Sequence, residues 1–136
     1  MLSEHPVPIV TPLTQAQFDY AAEGVLALQH CTVDDSVWFP PSTNCPNCLS
    51  EDIEWRPVSG QGKLWSWVVI HQPYLAAFAD ETPYVVAAVK LDEGPVIMST
   101  LVDIEVGDVT VDLPVTAEFR GYGPESTQMP VFRPIS

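Results

Sequence analysis

Positive charge is what this sequence has least of. Five Lys and Arg stand against 18 Asp and Glu in 136 residues, for a formal net charge of -13 at pH 7. Affinity for nucleic acid rests largely on basic side chains that displace counterions from phosphates, so DNA and RNA are disfavoured as partners, as is an anionic membrane surface. Long apolar runs are missing too. No segment approaches the ~20 residues of a membrane span, and the opening MLSEHPVPIVTPLT lacks a basic stretch leading into an unbroken apolar one. The expectation is a soluble, cytoplasmic protein. Histidines number three, His5, His30 and His71. There is no G-x-S-x-G, no H-E-x-x-H and no phosphate-cradling glycine loop. A self-sufficient active site is hard to assemble, and no residue is assigned a catalytic role.

Cysteine is scarce and clustered. All three lie in HCTVDDSVWFPPSTNCPNC, between His30 and Cys48. An odd count with a C-x-x-C fits a metal site or free thiols in a reducing compartment better than a disulfide framework. Structural zinc takes four protein ligands, and a C-x-x-C knuckle supplies two. Three residues beyond Cys31, where a second knuckle would carry its second cysteine, stands Asp34. A carboxylate oxygen binds zinc at a distance close to that of nitrogen, so Cys31, Asp34, Cys45 and Cys48 form a candidate site, with His30 and Asp35 as rival fourth ligands. The alternative is a metal-free ribbon whose loop is held by Trp38, Phe39, Pro40 and Pro41. A catalytic zinc is disfavoured, because knuckles of this kind usually close structurally.

With 46% apolar residues the chain has enough material for one compact domain and a small appendage. Residues 1 to 12 carry three prolines and read as an extended arm. Thr14 can cap a helix from Gln15, where Phe18, Ala21, Ala22, Val25 and Leu26 follow helical spacing, with a break possible at Gly24. Beyond the cysteines, KLWSWVVIHQ, PYVVAAVKLD, VIMSTLVDI and VTVDLPVTAEFRGY read as strands, joined by a possible short one at IEWRPV. Five strands are what a small Greek-key barrel of the OB type uses. Trp65 and Trp67 share a parity and are expected on one side of their strand.

The fold class is therefore mainly β: an N-terminal helix, a small zinc-ribbon-like knuckle and a five-stranded OB-fold barrel. The expected divisions are 1–30 for arm and helix, 31–57 for the ribbon and 58–136 for the barrel and C-terminal tail.

The order of features, a proline-rich arm, LALQHC closing a short helix, WFPP before CPNC, then SGQGKLWSWVVIHQP, PYVVAAVKLDEGP and MPVFRP, resembles the DUF35 family across nearly the whole chain. The departure is Asp34 in place of a cysteine. The resemblance implies a rubredoxin-like zinc ribbon followed by an OB-fold, with zinc as the cofactor where the ribbon is intact. It also implies a non-catalytic partner of thiolase-superfamily enzymes in a hetero-oligomer, with acyl-CoA as the substrate of the complex. Within that range the leading expectation is the subunit of a lipid-transfer-protein-like aldolase, which cleaves steroid side-chain CoA thioesters by retro-aldol chemistry. The alternative is a subunit bridging an acyltransferase, or a thiolase and a hydroxymethylglutaryl-CoA synthase. A stand-alone acyl-CoA carrier or hydrolase needs a basic patch, and Lys63, Lys90, Arg120 and Arg133 look too few and too dispersed.

Two segments are candidates for contact with a partner or substrate channel. The loop HQPYLAAFADETPY offers His71, Tyr74, Phe78 and Tyr84, since long loops with aromatics on a rigid barrel favour binding. The tail GYGPESTQMPVFRPIS offers Phe132 as an apolar anchor and Arg133 as a partner for phosphate or carboxylate. Its prolines argue against a place in a central ladder, although Val131 and Phe132 finishing the core is the competing expectation.

Overall fold

A computed structural model describes residues 11–71, 83–122 and 126–135. Helix α1 spans Gln15–Ala22. Its end is set by Gly24 at φ 76°, a left-handed position that glycine adopts without steric penalty. The Thr14 hydroxyl caps no helical amide; it accepts the Thr11 N–H at 2.9 Å. The expectation that LALQHC ends the helix is corrected. Ala27–Cys31 is strand β1, because past Gly24 a short apolar run fits period 2 as well as period 3.6 and the sheet claims it.

Strand β1 is the centre of an antiparallel sheet with β2 (Val37–Trp38) and β3 (Ile53–Pro57). IEWRPV therefore belongs to this sheet and not to the barrel. The barrel is built from β4 (Gln61–Ile70), β5 (Tyr84–Leu91), β6 (Val96–Leu101), β7 (Pro114–Tyr122) and β8 (Thr127–Pro134), closed in the order β4-β5-β6-β8-β7. Five strands are observed as expected, but the fifth is the tail.

Phe132 pairs with Leu101 and is fully buried. The competing expectation for Val131 and Phe132, completion of the core, is the arrangement found, and Phe132 is not available as an anchor on a partner. Prolines are tolerated in β8 for a local reason. In a strand the N–H and C=O of one residue point to the same side, and residues two apart share it. The Phe132 carbonyl accepts the Val102 N–H at 2.8 Å on the β6 side, so Pro130 and Pro134 turn their nitrogens there as well. On that side the ladder holds a single bridge, whereas the β7 side pairs along the whole strand. No donor is missing where one is needed.

The core combines Leu64, Val85, Val89, Leu91, Ile97, Leu101, Val115 and Phe132 of the barrel with Leu26 and Leu28 from the approach to and start of the small sheet. Alternation along β1 thus serves two sides: Leu28 enters the barrel core, while Cys31 packs with Trp38 and Cys45 in a second, smaller cluster. Gly62 is needed where β4 meets β5, since a Cβ there would stand 2.3 Å from the Lys90 carbonyl oxygen.

Candidate metal centre and partner face

The two cysteine loops are built alike. Cys31 N donates to Ser36 O and Cys45 N to Ser50 O, both at 2.9 Å. Asp35 N donates to Cys31 O at 3.0 Å, and Leu49 N to Cys45 O at 2.8 Å. Asp35 and Leu49, each four residues past the first cysteine, share a left-handed φ of 63° and 66°. Matching the loops position by position places Asp34 where the second loop has Cys48. The ligand-type atoms of Cys31, Asp34, Cys45 and Cys48 lie within 4.8 Å of one another.

These distances fit one tetrahedral ion. With Zn–S near 2.3 Å and Zn–O near 2.1 Å, tetrahedral edges are about 3.8 Å between thiolates and about 3.6 Å between thiolate and carboxylate oxygen. Cys31 Sγ lies 3.6 Å from Cys48 Sγ, and Cys45 Sγ lies 3.7 Å from each Asp34 oxygen. The N–H groups of Asn47 and Cys48 both point at Cys45 Sγ from 3.4 Å, as suits a thiolate. The residues present fit zinc. His30 does not join them, because it neighbours Cys31 on β1 and successive strand residues face opposite ways. Its Nδ1 is buried without a hydrogen-bond partner. Asp35, the other rival, is exposed and outside the cluster.

The electrostatics of the cluster are uneven. The Asn47 side-chain amide, at 2.8 Å from Oδ2, and the Ser36 N–H, at 3.0 Å from Oδ1, hold the Asp34 carboxyl well below the usual carboxylate range. At Cys45 desolvation works against the thiolate, but the amides of Cys48 and Asn47 prevail and the pKa is lowered. Cys48 is pushed up to about 11: the Ser50 amide pulls it down, and desolvation together with Cys31, Cys45 and Asp34 outweighs that pull. The surroundings thus favour the thiolate at Cys45 and oppose it at Cys48.

One contributor gave no signal in the sequence. Gln29, 4% exposed, accepts the Trp38 indole N–H at 2.8 Å and the Ser42 amide at 2.7 Å through a single oxygen, fixing the WFPP segment against β1. A glutamine in a short apolar strand has no pattern that announces it.

The barrel's outer face differs from expectation in two respects. Trp65 and Trp67 do not share a side. Leu64 pairs with Val89 and Ser66 with Ala88, so Trp65 is the additional residue of a β-bulge; it stands 60% exposed while Trp67 packs on the core. At the bulge Leu64 turns its backbone to Leu113 O at 2.9 Å and Asp112 N at 2.8 Å. Secondly, the four basic residues fall into two pairs. Lys63 and Lys90 are cross-strand neighbours in one groove with Trp65, Asp92 and Asp112, where the carboxylates offset their charge. Arg120 and Arg133 both reach Glu118, at 2.7 Å and 3.6 Å, so Arg133 is engaged within the chain.

Of the loop residues, His71 is exposed just past β4 and Tyr84 is half-buried where β5 begins, opposite Ile70. Tyr74 and Phe78 lie outside the described residues. No helix among the described residues is long and apolar enough to cross a membrane.

The family model for the C-terminal OB-fold domain of ChsH2 matches residues 55–120. One chain of an Ltp2-ChsH2(DUF35) aldolase is 34% identical, with a TM-score of 0.85 over 94% of this chain and 98% of that one. This chain belongs to the DUF35 family. A DUF35 domain-containing scaffold protein of Pyrococcus furiosus is 38% identical over 71 residues, 52% of either chain. A probable enoyl-CoA hydratase alpha subunit of Thermomonospora curvata is 35% identical over 129 residues, 95% of this chain. The chain spans 40% of the hydratase subunit and about half of the scaffold protein.

Proposed function

We propose that this DUF35 chain is a non-catalytic accessory subunit of a thiolase-superfamily acyl-CoA enzyme, specifically a lipid-transfer-protein-like aldolase acting on steroid side-chain CoA thioesters. The observation that carries the reading is the end-to-end likeness to a chain of the Ltp2-ChsH2(DUF35) aldolase. In the retro-aldol step a base takes the proton of the β-hydroxyl, the Cα–Cβ bond breaks to a carbonyl product and a CoA enolate, and the enolate carbon takes a proton. Those groups belong to the thiolase-like subunit; this chain stabilises it and borders the acyl-CoA channel.

The exposed apolar side chains on the outside of the barrel support a docked partner. Trp65 and Val68 on β4 and Met98 on β6 are 60%, 56% and 63% exposed on strands that are both neighbours of β5. Exposed aromatic and aliphatic side chains on a rigid barrel are the residue types that anchor interfaces. His71 and Tyr84, at the two ends of the neighbouring loop, with Tyr74 and Phe78, extend the proposed contact.

Co-expression with a thiolase-like protein of the same organism, followed by assay of each protein and the complex, tests the proposal. Activity in the complex alone is expected. A fully active thiolase-like protein without this chain would overturn it. Trp65→Ala is expected to leave the isolated chain's stability within about 0.5 kcal/mol and to weaken assembly by about 2 kcal/mol. The likeness to scaffold proteins favours the bridging role as the second reading. A purified complex holding two different enzymes would select it.

A further inference from the structure

Asp34 stands in the second-cysteine position of the first loop, yet a carboxylate has more ways to turn than a thiolate. Its four lone-pair sites let it face an ion, solvent or a neighbouring amide. What limits it comes from the other loop. Asn47, the third residue of Cys-Pro-Asn-Cys, sends its side chain across to donate to Asp34 Oδ2 at 2.8 Å, while the Ser36 N–H takes Oδ1 at 3.0 Å. With one lone pair of each oxygen occupied, the carboxylate edge is presented to the sulfurs, and both oxygens stand 3.7 Å from Cys45 Sγ.

We propose that Asn47 is the positioning residue of a metal site with three thiolates and one carboxylate, fixing Asp34 as the fourth ligand across the gap between the two loops. The loop that supplies Cys45 and Cys48 therefore also orients the ligand of the loop that lacks a second cysteine. Groups bonded to a ligand in this way set its direction and basicity, and their loss commonly lowers metal affinity about 10–100-fold. The dependence on Asn47 is specific to a carboxylate, because a thiolate at position 34 has no second donor atom to be held.

Cobalt(II) titration of the full chain, with affinity from competition against a chelator, reads this without any assay of activity. The unaltered chain is expected to bind one equivalent with tetrahedral visible bands. Asp34→Cys is expected to add a fourth thiolate, raising the sulfur-to-metal charge-transfer band by about a third and moving the visible bands to lower energy. Asn47→Ala is expected to weaken binding about 10–100-fold with the charge-transfer band unchanged. In the Asp34→Cys background the same Asn47→Ala change is expected to alter affinity by less than about 2-fold, since the carboxylate it serves is gone. Equal losses in both backgrounds would overturn the proposal, reducing Asn47 to a loop-shaping residue. So would a folded chain that takes up no cobalt, or an Asp34→Ala chain with native circular dichroism that binds cobalt with the original affinity and spectrum.

Discussion

The barrel and the cysteine ribbon share strand β1 but are held by different physics. The barrel core is mostly branched aliphatics with Phe132 and Ala87, and Leu64, Val89, Val115 and Phe132 are fully buried. The ribbon cluster has three buried members, Cys31, Trp38 and Cys45, supported by Ile53. Burial at about 25 cal/mol per Å2 makes a dozen interlocked apolar side chains self-sufficient, whereas two thiols and one indole supply little by that route. The ribbon depends instead on directional contacts: paired loop hydrogen bonds, the Gln29 bridge and the ligand cluster. In such a region polar residues decide the structure. In the barrel they mostly decorate it.

The sharpest way to break this contrast is Phe132→Ala. Removing a fully buried ring at the β6–β8 closure leaves a cavity in the larger core, with an expected loss of about 3–5 kcal/mol. Thermal or urea unfolding should show the whole chain destabilised, because Leu26 and Leu28 tie the ribbon's strand into the same core. A loss under about 1 kcal/mol would mean that the tail is not structural.

Gln29→Ala probes the other side. It leaves the Trp38 indole N–H and the Ser42 amide without their shared acceptor, at a cost of about 1–3 kcal/mol for buried donors left unpaired. Hydrogen exchange should locate the loss in residues 37–50, with β5 and β6 keeping their protection. Loosening spread evenly through the barrel would erase the distinction between the two regions.

The parts legible in the sequence follow the same division. Barrel strands are rich in β-branched and aromatic residues and bounded by Gly, Pro or Asp, so β4 to β7 could be read from KLWSWVVI, YVVAAVKL, VIMSTL and PVTAEFRGY. Strand β8 was hidden by Pro130 and Pro134, whose acceptability depends on which neighbour their nitrogens face. The side taken by Trp65 was hidden by the bulge, a matter of register that parity cannot foresee. Lys63 and Lys90 looked far apart because strand pairing, not chain distance, brings them together. The ribbon was legible through spacing alone: C-x-x-D repeats C-x-x-C, and the structure gives both loops one backbone form. Gln29 and Asn47 were illegible, since each acts through a partner more than eight residues away that no local pattern specifies.

The smallest expected effect concerns charge on the barrel wall. Glu118 receives Arg120 at 2.7 Å and Arg133 at 3.6 Å, and Arg120 also meets Asp103 at 3.3 Å, linking β7, β8 and the turn after β6. Glu118 and Arg120 are about a third exposed and Arg133 rather more, so water and salt screen the pairs. If burial holds the barrel, Glu118→Gln, which preserves size and one acceptor oxygen, should cost under about 1 kcal/mol. The difference should vanish in about 1 M salt, where the screening length falls to about 3 Å. Urea unfolding at low and high salt measures both quantities. A loss above about 2 kcal/mol that persists in high salt would show that the barrel, like the ribbon, rests on a polar network.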